Sequence, residues 1–197
     1  MKKRILLFIF SLSLAINAQQ QSNKVGNELY QNPIFAGDYP DPSIIRDGED
    51  YYIVHSSFNY YPGLLIWTSK DLVNWKPVTH ALKKSVGSVW APDLVKYNNK
   101  FYIYFPANET NYVVWADAIN GPWSNPIDLK IGNIDPGHFV DEKGSRYLYF
   151  SNGNYVPLSK DGLSVVGEGK HVYDGWKIPT DWSIECFCME GPKIVKH

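Results

Sequence analysis

The chain has 197 residues, 19 basic and 20 acidic side chains, and an aromatic content of 15% that includes seven Trp and 14 Tyr. No basic stripe runs through it, which excludes the electrostatic footprint of a nucleic-acid or anionic-membrane binder. Two cysteines, Cys186 and Cys188, supply neither a disulfide framework nor a metal-ligand pattern; spaced C-x-C, they read as packing residues, because so small a ring closes poorly.

In chain order, the first expected element is a targeting signal. Lys2-Lys3-Arg4 forms a basic start, Ile5–Ile16 an apolar run of 12, and Asn17-Ala18 a small-residue cleavage site. A run that short is a signal-peptide core and not a membrane span. Residues 1–18 are therefore expected to be removed on export to the periplasm or the outside, and residues 19–31 form a polar lead-in that need not be ordered. Without Lys2, Lys3 and Arg4 the balance is 16 basic against 20 acidic side chains, a net of −4. No later segment is long and apolar enough to span a bilayer.

From residue 32 onward the signals are those of β structure. Tyr51–Ser57, Phe101–Pro106 and Tyr147–Ser151 are short runs rich in aromatic and β-branched residues. Each follows a turn signal: Asp47-Gly48, Asn98-Asn99 and Lys143-Gly144. No sustained 3.6-residue apolar period appears, so the fold class is all-β.

The strands belong to a repeated segment. YPDPSIIRDGEDYYIVHSS (Tyr39–Ser57), VWAPDLVKYNNKFYIYFPA (Val89–Ala107) and IDPGHFVDEKGSRYLYFSN (Ile134–Asn152) are three copies, and MEGPKIVKH (Met189–His197) opens a fourth. Aligned on Pro42, Pro92, Pro136 and Pro192, the copies are 50, 44 and 56 residues apart. A second marker repeats in step, with Asp71, Asp117 and Asp161 each in a turn; such an Asp caps its own turn through side chain to backbone bonds. About 45 residues with four short strands is the size of a propeller blade. The chain thus reads as about three blades plus the first strand of a fourth, part of a larger propeller.

One or two positions before the aligned proline stand Asp41, Asp135 and Glu190, while the second copy has Trp90-Ala91. In a propeller the first strand of every blade starts near the axis, so these positions face one another although they lie 94 and 55 residues apart. Neighbouring carboxylates cannot all stay ionised cheaply, so one is expected to keep its proton while another remains charged. A proton donor facing a proton acceptor is what glycoside hydrolysis requires, with about 6.5–9.5 Å between them when a water must enter.

Tyr39-Pro40-Asp41-Pro42-Ser43, Val89-Trp90-Ala91-Pro92-Asp93, Ile134-Asp135-Pro136 and Glu190-Gly191-Pro192 together resemble glycoside hydrolase family 43. That resemblance runs from about Asn32 to the last residue. It implies a five-bladed β-propeller that cleaves xylans, arabinoxylans or arabinans with inversion of configuration. It also implies Asp41 as general base, Glu190 as general acid, and Asp135 as the group that tunes and orients the acid. Trp90 would line the sugar site, and Phe58, in HSSFNYYPG, would lie near the terminal sugar. A complete propeller of this kind often holds a calcium ion on a central His; none of the five His residues here matches it, so no metal ligand is assigned and no other cofactor is expected. His138, three residues after Asp135, is left without a role.

The expected partner is an oligo- or polysaccharide. Loops Asn59–Leu65 and Tyr173–Trp182 could wall off one end of the cleft, which favours an exo-acting β-xylosidase or α-L-arabinofuranosidase over an endo-arabinanase. Two other readings compete. Glu185-Cys186 superficially resembles the acid motif of family 32 fructan hydrolases, although Ile134 stands where their Arg belongs and Glu190 is the acid in register. A non-catalytic carbohydrate-binding propeller would not need all three acids. The sequence carries no signal for oligomeric state.

Overall fold

Short aromatic and β-branched runs punctuated by Asn, Asp and Gly favour strands closed by tight turns, and the computed structural model of the chain is built from them. It describes residues 22–25, 28–186 and 188–195; the expected signal peptide, residues 1–18, lies outside the described residues. The chain divides into two compact units, Met1–Ala36 and Gly37–His197. Within the first, β1 (Ser22–Val25) pairs antiparallel with β2 (Glu28–Gln31). This hairpin stands where a lead-in with no required order was expected. The overlooked signal is Gly26-Asn27, a dipeptide type common in two-residue hairpins.

The second unit contains three four-stranded antiparallel sheets, each a simple meander. Blade 1 is β3 (Ser43–Asp47), β4 (Asp50–Val54), β5 (Gly63–Ser69) and β6 (Lys76–Leu82). Blade 2 is β7 (Asp93–Tyr97), β8 (Lys100–Ala107), β9 (Thr110–Ala116) and β10 (Ile127–Asp128). Blade 3 is β11 (Gly137–Val140), β12 (Arg146–Phe150), β13 (Asn154–Leu158) and β14 (Lys170–His171). The three first strands, β3, β7 and β11, pack side by side. Each begins on the residue after Pro42, Pro92 or Pro136, so the repeated proline marks the entry to a blade. After Pro192, residues 193–195 form no strand. A first strand pairs with the second strand of its own blade, and no such partner lies among the described residues.

The core sits between sheets. β8 is buried on both faces, and its alternation separates two clusters. Phe101, Ile103 and Phe105 join Val54, Leu64, Ile66 and Leu82 of blade 1. Tyr102 and Tyr104 join Leu148, Phe150, Val156 and Leu158 of blade 3. Burying such a side chain stabilises the fold by about 1.5–3 kcal/mol. A two-residue turn closes β7 on β8 at Asn98-Asn99, with φ of 48° and 59°. Asn tolerates that left-handed backbone better than most residues.

One buried charge is met by aromatic rings. Arg146, 2% exposed, lies with its guanidinium 4.6 Å from the Tyr97 ring centre and 4.4 Å from that of Tyr102. It donates to the Tyr104 hydroxyl (2.9 Å) and to Nε2 of His138 (3.0 Å). His138, left without a role by the sequence, therefore turns its ring to this cluster and stacks on Tyr104. Burial, reinforced by the Arg146 charge, pushes its imidazole down to about 3.

The Asp-turn marker is structural in two copies. Asp71 accepts backbone bonds from Val73 (2.9 Å) and Asn74 (2.7 Å), and Asp161 accepts one from Leu163 (3.0 Å). These bonds hold both carboxyls below the ordinary range: for Asp71 the Asn74 side chain leads, for Asp161 the Ser159 hydroxyl. In the second copy Asp117 pairs with Lys100 instead. The cysteine expectation is overturned. Cys186 and Cys188 are joined in a disulfide, with Cα atoms 5.2 Å apart. That spacing lies inside the range a disulfide spans.

Candidate active site

The first-strand entries of the blades converge on one cavity of about 230 Å³. Its walls include Asp41 and Pro42 from blade 1, Ala91 and Pro92 from blade 2, Asp135 and Pro136 from blade 3, and Gly191 and Lys193 from the fourth copy. Two of the three expected acids thus face one space, and the third, Glu190, is the neighbour of a wall residue and is itself exposed. Glu185, the alternative acid, is not part of this wall.

The backbone repeats its conformation at these entries. The residue before the proline is left-handed in three copies: Asp41 (φ 54°), Asp135 (φ 58°) and Gly191 (φ 63°). Ala91 does not share it. For a residue other than Gly this conformation costs about 1–2 kcal/mol, and such strain collects where function requires it. In the fourth copy Gly occupies the strained place, so the acid sits one position earlier. That accounts for the uneven offset between the carboxylates and the aligned proline.

Each acid is held. Ser56 donates from its hydroxyl to Asp41 Oδ2 at 2.5 Å, and its backbone N–H to the Pro40 carbonyl at 3.2 Å. Asp135 Oδ2 accepts the Gly191 N–H at 2.9 Å, so the third blade grips the backbone next to Glu190. On the other side of Glu190, the Met189 carbonyl accepts the Asn152 N–H at 2.7 Å, and the Met189 N–H reaches Asn152 Oδ1 at 3.4 Å.

A second polar group lies deeper on the axis. Asp93, 5% exposed, accepts from Lys193 Nζ (2.5 Å) and Ser43 Oγ (3.4 Å) through Oδ1, and from the His138 N–H (2.7 Å) through Oδ2. Burial pushes its carboxyl upward, while Lys193, His138 and Ser43 oppose that rise. Sequence reasoning passed over Asp93 and Lys193. The available signal was the position after the repeated proline, which reads Ser43, Asp93, Gly137 and Lys193: opposite charges at places that meet on an axis.

Trp90 and Ile134 line a larger cavity of about 460 Å³, with Ser88, Asn108, Glu109 and Asn133. It adjoins the carboxylate cavity, since Trp90 precedes Ala91 and Ile134 precedes Asp135. Trp90 is 47% exposed, and its indole N–H is fixed by Ser88 Oγ at 3.0 Å. Phe58 does not line either cavity; its backbone bridges Val89, the residue before Trp90, with bonds of 2.8 and 3.0 Å. A ring platform beside amide and carboxylate groups suits a sugar, whose C–H face packs on the ring and whose hydroxyls need hydrogen bonds.

Among the described residues, no three His, Cys, Asp or Glu side chains gather to hold a metal ion. His138 Nε2 accepts from Arg146. No helix of the described residues is long and apolar enough to cross a membrane.

The chain is similar to known proteins in sequence and in fold. The model of glycosyl hydrolases family 43 matches residues 30–197. A xylan 1,3-beta-xylosidase of a Vibrio species is 33% identical over 84% of this chain and 36% of its own. Xylosidase/arabinosidase 43B of Humicola insolens is 38% identical over 85% of this chain and 35% of its own. Among solved structures, xylan beta-1,4-xylosidase from Bacillus halodurans superposes with a TM-score of 0.71 at 32% identity, over 85% of this chain and 37% of that one. The chain spans about a third of the length of these relatives.

Proposed function

From the premise that the chain belongs to glycosyl hydrolases family 43, we propose that it carries the acid–base centre of an exo-acting, inverting hydrolase of plant pentose polymers. The observation that carries this reading is the meeting of Asp41, Asp135 and the Glu190 segment around one cavity. Glu190 gives a proton to the glycosidic oxygen as the bond to the anomeric carbon breaks. A water attacks that carbon from the opposite face and loses its proton to Asp41. The Ser56 hydroxyl occupies Asp41 Oδ2, which leaves Oδ1 to take that proton. Asp135 holds the Gly191 N–H and so fixes the direction of Glu190. The sugar packs on Trp90, with Phe58 supporting it through Val89.

The similarity to a xylan 1,3-beta-xylosidase and to a xylosidase/arabinosidase supports a terminal pentose as substrate. Export by the residues 1–18 signal belongs to the same reading, because the polymer lies outside the cell. The test is Glu190→Gln in the full-length protein on an aryl xyloside and an aryl arabinofuranoside. Turnover is expected to fall by about 10³-fold or more, with sugar binding kept. Unchanged turnover would remove Glu190 from the mechanism. Retention of anomeric configuration in the product, followed by NMR, would favour a family 32 type of chemistry instead.

A further inference from the structure

The segment that carries Glu190 is tied to blade 3 at three points. Met189 bonds to Asn152, Gly191 to Asp135, and the Pro192 backbone crosses Gly137 so closely that a Cβ there would lie 2.2 Å from the Pro192 carbonyl oxygen. All three anchors lie on one blade, so they leave open how the segment is set relative to blades 1 and 2. A fourth anchor supplies this. Lys193 of the fourth copy reaches Asp93 of blade 2, 100 residues away in sequence.

Asp93 also accepts from Ser43, two residues after Asp41. A path of covalent and hydrogen bonds therefore joins the two opposed acids. It runs from Asp41 to Ser43, across to Asp93 (3.4 Å), across to Lys193 (2.5 Å), and back three residues to Glu190. The His138 N–H completes the hub from β11 (2.7 Å), so the first strands of all three blades meet the fourth copy on this one carboxylate. The charged groups facing Lys193 are Asp93, which binds it, and Asp41 and Asp135, which share its cavity.

We propose that Asp93 is a positioning residue: buried on the axis, it fixes Lys193 and thereby sets the Glu190 segment against Asp41. The inference rests on the reading of Glu190 as proton donor, but the contact that it concerns can be tested without turnover. The separation of acid and base decides whether a water fits between them, and a loop anchored to one blade alone would let that separation drift. Misplacement of about 1 Å can cost about 10²-fold in rate.

The experiment uses Asp93→Asn, Lys193→Met and the double variant of the full-length protein. Amide hydrogen exchange reads the anchor directly. Exchange at Gly191 and Met189 should rise about tenfold in each single variant, with β8 amides unchanged. The double variant should exchange no faster than either single one, because both remove the same link. In turnover, kcat should fall about tenfold or more with KM within about twofold, the pattern of an interaction that matters in the transition state. Lys193 is half-exposed, so Lys193→Met keeps the test available should Asp93→Asn not fold. Unchanged Gly191 exchange in Lys193→Met, or additive effects in the double variant, would overturn the proposal. Failure of the wild type to hydrolyse any pentoside would sink the functional reading instead, and the exchange result would still decide the role of Asp93.

Discussion

Acid should weaken this fold through one histidine. The His138 imidazole is held neutral down to about 3 by burial and by the Arg146 guanidinium beside it, whereas an unfolded His titrates near about 6.5. Between those values the unfolded chain binds more protons than the folded one. Stability therefore rises with pH across that window and drains away as pH falls through it. Going from pH 7 to pH 5, the linkage amounts to about 2 kcal/mol. That figure depends little on the folded value, since the ring is neutral at pH 5 in any case. Urea unfolding of the wild type and His138→Gln at the two pH values measures it. Gln keeps an acceptor for Arg146 Nε but does not titrate, so the variant should lack about 2 kcal/mol of the acid loss. Equal losses in the two proteins, within about 0.5 kcal/mol, would refute the argument.

Gly162→Ala should destabilise the chain by about 2 kcal/mol or more, since a Cβ there would lie 2.3 Å from the Arg146 guanidinium carbon on a backbone with φ of 75°; thermal unfolding reads this. Asp135→Asn should lower kcat about 10- to 100-fold, because a neutral amide grips the Gly191 N–H less firmly and no longer sets the field around Glu190; steady-state kinetics with a far-UV spectrum separates this from misfolding. Trp90→Ala should raise KM about tenfold through loss of ring stacking on the sugar, with a smaller change in kcat.

The repeat made most of the fold legible. Pro42, Pro92 and Pro136 each stand one residue before a first strand, and the alternation of β8 follows from its unbroken apolar and aromatic run. The convergence of Asp41 and Asp135 on one cavity was legible for the same reason: equivalent places in a radial repeat come together. What escaped sequence reading was interaction across blades. Nothing local to Asp93 announces a lysine 100 residues later, and His138 reads as a lone ring until Arg146 and Tyr104 close on it. The disulfide between Cys186 and Cys188 was missed because the small ring was expected to close poorly, although the spacing puts both side chains on one face of a strand. The first strand expected after Pro192 lacks a partner strand among the described residues, and strands exist only in pairs.

Because every hydrophobic cluster here is assembled from two neighbouring sheets, no blade owns its interior. Blade 2 contributes Phe101, Ile103 and Phe105 to one side and Tyr102 and Tyr104 to the other, so damage to it loosens both flanks at once. On β12, Leu148 and Phe150 face blade 2, while Tyr147 and Tyr149 turn outward and meet Tyr155 at ring distances of 5.4 and 5.2 Å. That aromatic ladder is the counterpart of the β8 side that blade 3 covers. It gives a following blade a ready surface, and makes cohesion around the ring a property shared between neighbours.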